Sequence, residues 1–344
     1  MTVVMVEDLD PSSADSGVPA HYGDPMREQR TLATAVGLVD RSNRDVIAVP
    51  GEERASWLHT LTTQHLSDLS KGQGTELLVL SPNGHVEQHA VVTEDGETTW
   101  LDTEPGAGAG LLKYLEMMRF FTKVEPRDAT SELAVLSLVG PGAADVIPGL
   151  AEPRVQPVPG AKFAAGDVRP EATSLYDVRE TEFGLARRVP LGIDLLVPRA
   201  EKTAVIEKLG VPLSGLWAYE AIRVEHRTPR LGWETDHRTI PAEAEFLAAA
   251  VHLDKGCYRG QETVARVHHL GRPPRRLALL HFDGIATDQP PAKGTPVVRE
   301  GREVGFVGTA VRHHELGLIA LAVLKRNASD ELSVGESAVA VDEH

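Results

Sequence analysis

A chain of 344 residues, 42% hydrophobic and 25% charged, has the composition of an ordinary globular protein with room for two or three domains that each bury a core. Its net charge of -15 argues against an extended nucleic-acid surface, because phosphate backbones are met by clustered Lys and Arg. One cysteine excludes an internal disulfide and an all-cysteine metal site within a single copy.

Residues 1–22 read as a disordered tail: D-P-S-S-A-D-S-G is acidic, small and proline-broken. The apolar run Val3 to Val6 is interrupted by Glu7, Asp8 and Asp10 and follows no basic segment, unlike a secretory leader or a membrane span. A cytoplasmic location is expected, with neither membrane nor nucleic acid as partner.

Residues 23–130 read as a first α+β half. The pattern predicts a helix over Met26 to Val36, a strand at Asp45 to Val49, and a Pro50-Gly51 corner into a helix carrying Ala55, Leu58 and Leu61. A strand over Glu76 to Leu80, a hairpin turn at Pro82-Asn83-Gly84 and strands at His85 to Val92 and Thr98 to Leu101 form a meander. A helix from about Gly108 to Arg119 follows, with Leu111, Leu112, Leu115 and Met118 inward.

Residues 131–273 read as a second α+β half. V-L-S-L-V-G-P-G-A-A-D-V-I echoes V-I-A-V-P-G-E-E-R-A-S-W-L, each an apolar strand, a corner and a helix. Loop-like residues 152–172 precede strands near Ser174 to Val178 and Leu191 to Val197 and a helix from Arg199 to Leu209. Ser214 is expected to cap a helix bearing Trp217, Ala221 and Val224 on one face. From 274 to 344, short alternating strands with glycine turns predict a small antiparallel barrel.

The second half ends in the chemically richest stretch, K-G-C-Y-R-G-Q-E-T-V-A-R-V-H-H-L-G, residues 255–271. Gly256 and Gly260 bracket Cys257, and a helix from Gln261 to His269 follows, closed by Gly271 and Pro273. From Lys255 to Arg276 six Lys/Arg stand against one acid, Glu262, a local balance of +5. A helix N-terminus and neighbouring cations favour a thiolate at Cys257, and such a segment suits an anionic ligand or partner. The bland alternative is a small packed hydrophobe with a solvated charged face. His268-His269 and His313-His314 lack an acid or cysteine at ligand spacing, so no metal site is expected there.

The contiguous motif Lys255, Gly256, Cys257, Tyr258, Gly260, Gln261 and Glu262 resembles the signature of the YgfZ-type proteins. These are folate-binding relatives of the glycine-cleavage aminomethyltransferase (T-protein) that support iron-sulfur enzymes. G-L-V-D-R-S, L-T-T-Q-H, Asn83-Gly84, A-Y-E-A-I-R-V-E and the C-terminal barrel extend the likeness from about Gly37 onward. The resemblance implies an α+β fold, a three-domain ring with folate in a central channel. It also implies tetrahydrofolate or a one-carbon derivative as cofactor and iron-sulfur enzymes or their assembly factors as partners. Glu87, Arg223, Lys255, Tyr258, Gln261 and Arg266 are its implied folate-contacting set, with Cys257 as the reactive group. A carboxylate suits the adjacent N–H donors of a pterin, and cations suit the glutamate tail.

The chain departs from the transferases at three places. Glu87 is followed by Gln88 rather than a second acid, Arg188-Val189-Pro190 replaces T-G-E, and Cys257 replaces an acid. Aminomethyl transfer needs a precisely placed electrostatic site, so these changes count against it. A low-pKa thiol instead offers nucleophilic or redox chemistry. The expected function is therefore support of iron-sulfur enzymes by a folate-binding protein. A folate-dependent aminomethyl or methyl transferase and a non-catalytic folate-binding scaffold remain as alternatives.

Overall fold

The computed structural model describes residues 2–155, 173–270, 272–286 and 289–342. The proline-bearing stretch expected at 152–172 lies largely outside the described residues, as does Gly271 at the end of the motif helix.

Two α+β units share one 12-stranded sheet. The first unit contributes β1 (Gly37–Asp40), β2 (Asp45–Pro50), β3 (Gln73–Leu80), β4 (Val86–Glu94) and β5 (Thr98–Thr103). The second contributes β6 (Leu133–Val139), β7 (Thr173–Thr181), β8 (Gly184–Val189) and β9 (Gly192–Pro198). Along the sheet the order is residues 213–214, β1, β6, β9, β8, β7, β3, β4, β5, β2 and residues 127–128, with the twelfth strand, residues 154–155, paired to β7 off this path. Sequence order is thus broken at β1, which leaves its neighbours and pairs with β6. The seam between units is the antiparallel pair β7–β3, with Tyr176 opposite Gly74 and Asp177 opposite Gln73. Glycine is required there: a Cβ on Gly74 would lie 2.6 Å from the Val92 carbonyl and 3.2 Å from the Arg187 side chain that crosses over it.

Among the described residues, six helices of eight residues or more clothe the sheet: α1 (Pro25–Thr34), α2 (Arg54–Leu61), α3 (Gly108–Met117), α4 (Lys202–Leu209), α5 (Leu216–Glu225) and α6 (Gln261–Leu270). In the first unit Trp57, Leu58 and Leu61 of α2 and Leu111, Tyr114 and Leu115 of α3 bury against Leu77, Val79, Ala90 and Val92. The second unit builds its own core from Leu136, Leu138, Ile193, Leu195 and Val205. Leucine-sized burial at about 1.5–3 kcal/mol per side chain gives each unit an independent hydrophobic source. The N-cap of α5 is Gly215, whose N–H donates to Glu28 Oε2 at 2.8 Å. Ser214, expected as the cap, instead sits in a short parallel strand beside Val39.

The C-terminal strands Arg275–Phe282, Pro296–Arg299, Arg302–His313, Gly317–Lys325, Leu332–Val334 and Ser337–Val341 close into an antiparallel barrel. Ala278, Leu280, Val307, Ala320, Ala322 and Leu324 fill it. The outer apolar face, Leu277, Leu279, Ile319, Leu321 and Val323, seats on Val224 of α5. The last two strands are separated by a turn at Gly335 (φ 58°).

The first 22 residues correct the expectation of a disordered tail. Residues 4–5 pair with 19–21, and Val6, Val18 and Ala20 are buried with Leu32, Val39 and Leu216. The segment is too polar to make a core of its own, but it borrows one from α1 and α5. Its approach is so close that a Cβ on Gly215 would lie 2.2 Å from the Ala20 carbonyl.

Candidate functional site

Arginines dominate the interior where the two units meet. Arg187 on β8 is fully buried and donates to Asp102 (2.7 Å), Asp194 (2.8 Å) and Thr93 (2.7 Å). Arg44 holds the other side of Asp102 at 2.8 Å and Glu104 at 2.8 Å. Glu104 in turn accepts from Arg230 at 2.7 Å, and Arg230 takes both oxygens of Asp15, from the N-terminal segment, at 2.7 and 3.0 Å. Burial alone would raise the Asp102 carboxyl, but Arg187 and then Arg44 hold it down at about 2. Removing one partner from such a chain leaves an uncompensated buried charge, at a cost of about 3–5 kcal/mol.

Beside this seam lies a cavity of about 230 Å³ bounded by both units, α5 and the 226–230 loop. Glu76 of β3, His89 of β4 and Tyr176 of β7 line it together. Glu76 Oε2 is 2.8 Å from His89 Nε2, and Glu76 Oε1 accepts from the Tyr176 hydroxyl. Burial works to raise the Glu76 carboxyl, yet the bonds from His89 and Tyr176 and the Arg187 charge bring it below its usual value. An ionised carboxylate can only accept, so His89 Nε2 carries a proton. Its other ring nitrogen, Nδ1, is buried and finds no hydrogen-bond partner among the described residues. Tyr219 and Phe246 supply aromatic wall, the latter's ring 4.8 Å from that of His89.

The cysteine-bearing loop is built differently. Lys255 is buried, and its ammonium donates to the carbonyls of His59, Thr62 (2.6 Å) and Gln64 (3.0 Å), tying the loop to the C-terminal end of α2. Burial pushes this ammonium down to about 8. Tyr258 packs among Leu78, Leu80, Phe246 and Val264. Gly260 (φ 82°) meets the hairpin turn so closely that a Cβ would lie 2.6 Å from the Ser81 carbonyl and 2.8 Å from Gly84 Cα. Gly84 is equally confined by Thr263, at 2.6 Å. Between these anchors Gly256 and Cys257 are exposed. His59, His65 and His252 cluster alongside, His65 meeting His59 edge-on at 4.6 Å between ring centroids and His252 tilted at 5.1 Å.

Of the residues expected to contact a ligand, only Arg223 borders the central cavity among the described residues, and its guanidinium is already committed. It donates to both oxygens of Glu220 (3.1 and 2.6 Å), the Thr228 carbonyl (2.5 Å) and Thr309 of the barrel (2.6 Å). It joins α5 to the barrel rather than offering a free cation. Glu87 stands two residues before His89 on β4, but it pairs with Arg259 at 3.2 Å beside the cysteine loop. Lys255 is an anchor. Tyr258 and Gln261 line a second cavity of about 210 Å³ under α6, and Arg266 is exposed. Gln88 faces α3, its amide 2.8 Å from where a Cβ on Gly110 would be, opposite to His89. Glu76, His89 and Tyr176 were missed. Their signal was a polar residue interrupting an apolar strand, in T-E-L-L-V-L and Q-H-A-V-V. Among the described residues no group of three or more His, Cys, Asp or Glu is placed to hold a metal ion, and no helix is long and apolar enough to cross a membrane.

An α+β pair joined through one sheet, with a charged cavity at the join and a closed barrel on the flank, defines a recognisable class. Residues 18–255 match the family model described as the GCVT N-terminal domain, and residues 275–343 match the CAF17 C-terminal beta-barrel domain. The chain belongs to the GCVT family and carries a barrel of the CAF17 type. It is 24% identical over 338 residues to a putative chloroplastic transferase of Arabidopsis thaliana, covering 94% of this chain and 74% of that one. It is 26% identical over 282 residues to the aminomethyltransferase of Chlorobium luteolum, covering 78% and 74% respectively. In fold it is similar to the glycine cleavage system aminomethyltransferase T of Bartonella henselae, with a TM-score of 0.73, 18% identity, and 96% and 91% of the two chains covered.

Proposed function

We propose that this protein binds tetrahydrofolate or a one-carbon derivative in the cavity at the unit seam and supports iron-sulfur enzymes through the exposed Cys257 loop. The observation that carries the folate reading is the Glu76–His89–Tyr176 group. A pterin head is a flat heteroaromatic ring with several donors and acceptors, and this cavity offers it aromatic wall, an ionised carboxylate and an imidazole nitrogen without a partner among the described residues. At about 230 Å³ the cavity lies below the roughly 300–1,000 Å³ usual for whole small-molecule sites, which suits a ring head with its tail directed outward. The family relatives named as aminomethyltransferases support the same ligand class. When bound, reduced folate supplies a one-carbon carrier at its ring nitrogens. Glu76 orients His89, His89 and the aromatic walls position the ring, and the Arg187–Asp102–Arg44 chain keeps the two sheet halves in register around it.

The Cys257 loop supports the second part of the reading. Lys255, Tyr258 and Gly260 fix its ends, and the thiol stands at the surface, reachable by a protein partner. Its thiolate can attack a partner disulfide, forming a mixed disulfide and releasing the other partner sulfur as thiolate. Two measurements test the proposal. Calorimetric titration with 5-formyltetrahydrofolate is expected to show saturable binding in the micromolar range, about -8 kcal/mol. A strain carrying only Cys257→Ser is expected to lose iron-sulfur enzyme activity while the variant remains folded and binds folate. Full activity in that strain refutes the thiol's role, and no binding by folded wild type refutes the folate site.

A further inference from the structure

One wall of the seam cavity is a loop that the barrel holds from behind. Arg223 and residues 226–230 line that side, whereas Glu234 and Thr309 border no part of the cavity. Glu234 is fully buried, and its two oxygens meet four donors. Oε1 accepts from the Thr309 N–H at 2.8 Å and the Thr309 hydroxyl at 2.6 Å, and Oε2 accepts from the Arg230 N–H at 2.8 Å and Arg223 Nη1 at 3.4 Å. The Thr309 hydroxyl also accepts from Arg223 Nη2 at 2.6 Å, and Arg223 Nη1 donates to the Thr228 carbonyl at 2.5 Å. Asp342, just past the last barrel strand, takes Arg227 Nη2 at 3.4 Å on its carbonyl and at 3.4 Å on Oδ1. Arg227 keeps φ at 52°, a left-handed backbone that a bulky residue holds only where its surroundings impose it.

The barrel reaches Glu234 by breaking its own pattern. In the strand Arg302–His313, Val307 stands opposite Ala322 and Ala310 opposite Ala320, so Gly308 and Thr309 together stand against a single residue. Val307 and Ala310 both pack with the barrel core, although residues three apart on a regular strand point to opposite sides. The extra residue of this bulge frees Thr309 to turn out of the barrel toward Arg223 of α5 and Glu234. Gly308 lets Glu234 approach: a Cβ there would lie 2.6 Å from Glu234 Oε1 and 3.0 Å from its Cγ and Cδ.

We propose that the Gly308–Thr309 bulge positions the ligand cavity, with Thr309 setting the 226–230 wall through Glu234 and Arg223. Affinity at the seam then depends on a barrel hydroxyl that does not touch the ligand, and the barrel is part of the binding apparatus rather than an appended module. The inference rests on the folate reading only for the choice of probe.

The test uses the full chain and three variants. Thr309→Val keeps the shape and removes the hydroxyl, Thr309→Ser keeps the hydroxyl, and Gly308→Ala presses on Glu234 without removing a donor. Affinity for 5-formyltetrahydrofolate is measured by calorimetry, and hydrogen exchange is followed at residues 227–234, where the Arg230 N–H reports its bond to Glu234 directly. Thr309→Val and Gly308→Ala are each expected to weaken binding about fivefold or more and to quicken exchange at 227–234 by a similar factor, while β3 and β4 stay as protected as in wild type. Thr309→Ser should restore both readouts. Wild-type affinity and exchange in Thr309→Val and Gly308→Ala overturn the inference. So does quickening spread evenly over the barrel and the sheet, which marks a merely structural role. If wild type does not bind the probe, the folate reading fails, and exchange alone decides: quickening confined to 227–234 supports the positioning role, and unchanged or uniform exchange overturns it.

Discussion

The charged seam and the cysteine loop solve the same problem, holding polar groups in place, by opposite means. In the seam every charge is matched by another charge: Arg187, Arg44 and Arg230 are linked through Asp102, Glu104 and Asp15 over residues drawn from both units and the N-terminal segment. In the loop the ends are fixed by backbone carbonyls, packing and a bare glycine, and the middle is left to solvent. The seam therefore shapes a cavity and the loop presents a thiol. A substitution in the seam should act on the whole molecule, and one in the loop on a local surface.

That contrast can be broken from its strong end first. Arg187→Met leaves Asp102 and Asp194 without their shared partner, and urea denaturation is expected to show a loss of about 3–5 kcal/mol. The same network sets an acid limit. Asp102 is depressed to about 2 from 3.8, so the stability it contributes is complete above its unfolded value and is lost as pH falls from about 4 through 2. Urea midpoints in wild type should fall over that window, and Arg187→Met should flatten the fall. Gly260→Ala places a Cβ against Ser81 and Gly84 at a positive φ, and a loss of about 1–3 kcal/mol is expected, with wild-type-like cavity ligand binding.

A milder acid response should be confined to the loop. His59 is held below 6.5 by burial and Lys255, and His252 by burial and His65, so both bind fewer protons folded than unfolded. Their contribution is present above 6.5 and declines as pH drops through it. Hydrogen exchange of residues 252–260 should quicken below that pH while β3 and β4 stay protected, and uniform quickening would contradict a locally held loop. Cys257→Ser, at an exposed position, should change stability by no more than about 0.5 kcal/mol.

The same contrast explains what the sequence could disclose. The loop is contiguous, so its glycines, its cysteine and the helix after it were readable, and the barrel was readable from alternation and turns. Yet Lys255 and Tyr258 are anchors, a fact that depends on carbonyls and side chains nearly 200 positions away. The seam assembles Asp15, Arg44, Asp102 and Arg187, which share no local pattern, and Arg187 fell between the strands expected near Ser174 to Val178 and Leu191 to Val197. Glu87 was placed in the folate-contacting set by the family resemblance. Two residues further along the same pleated face, His89 holds that position. The N-terminal segment was misread because its order comes from surface lent by α1 and α5, invisible in its own composition.

The most direct test of the account compares those two strand positions. Binding of 5-formyltetrahydrofolate is measured by calorimetry for wild type, Glu76→Gln and Glu87→Gln. Loss of the buried charged acceptor in Glu76→Gln should weaken binding about tenfold or more, while Glu87→Gln, which removes only a half-exposed ion pair with Arg259, should bind as wild type does. Weak binding by Glu87→Gln beside full binding by Glu76→Gln would move the ligand to the cysteine loop and contradict the seam cavity as the folate site.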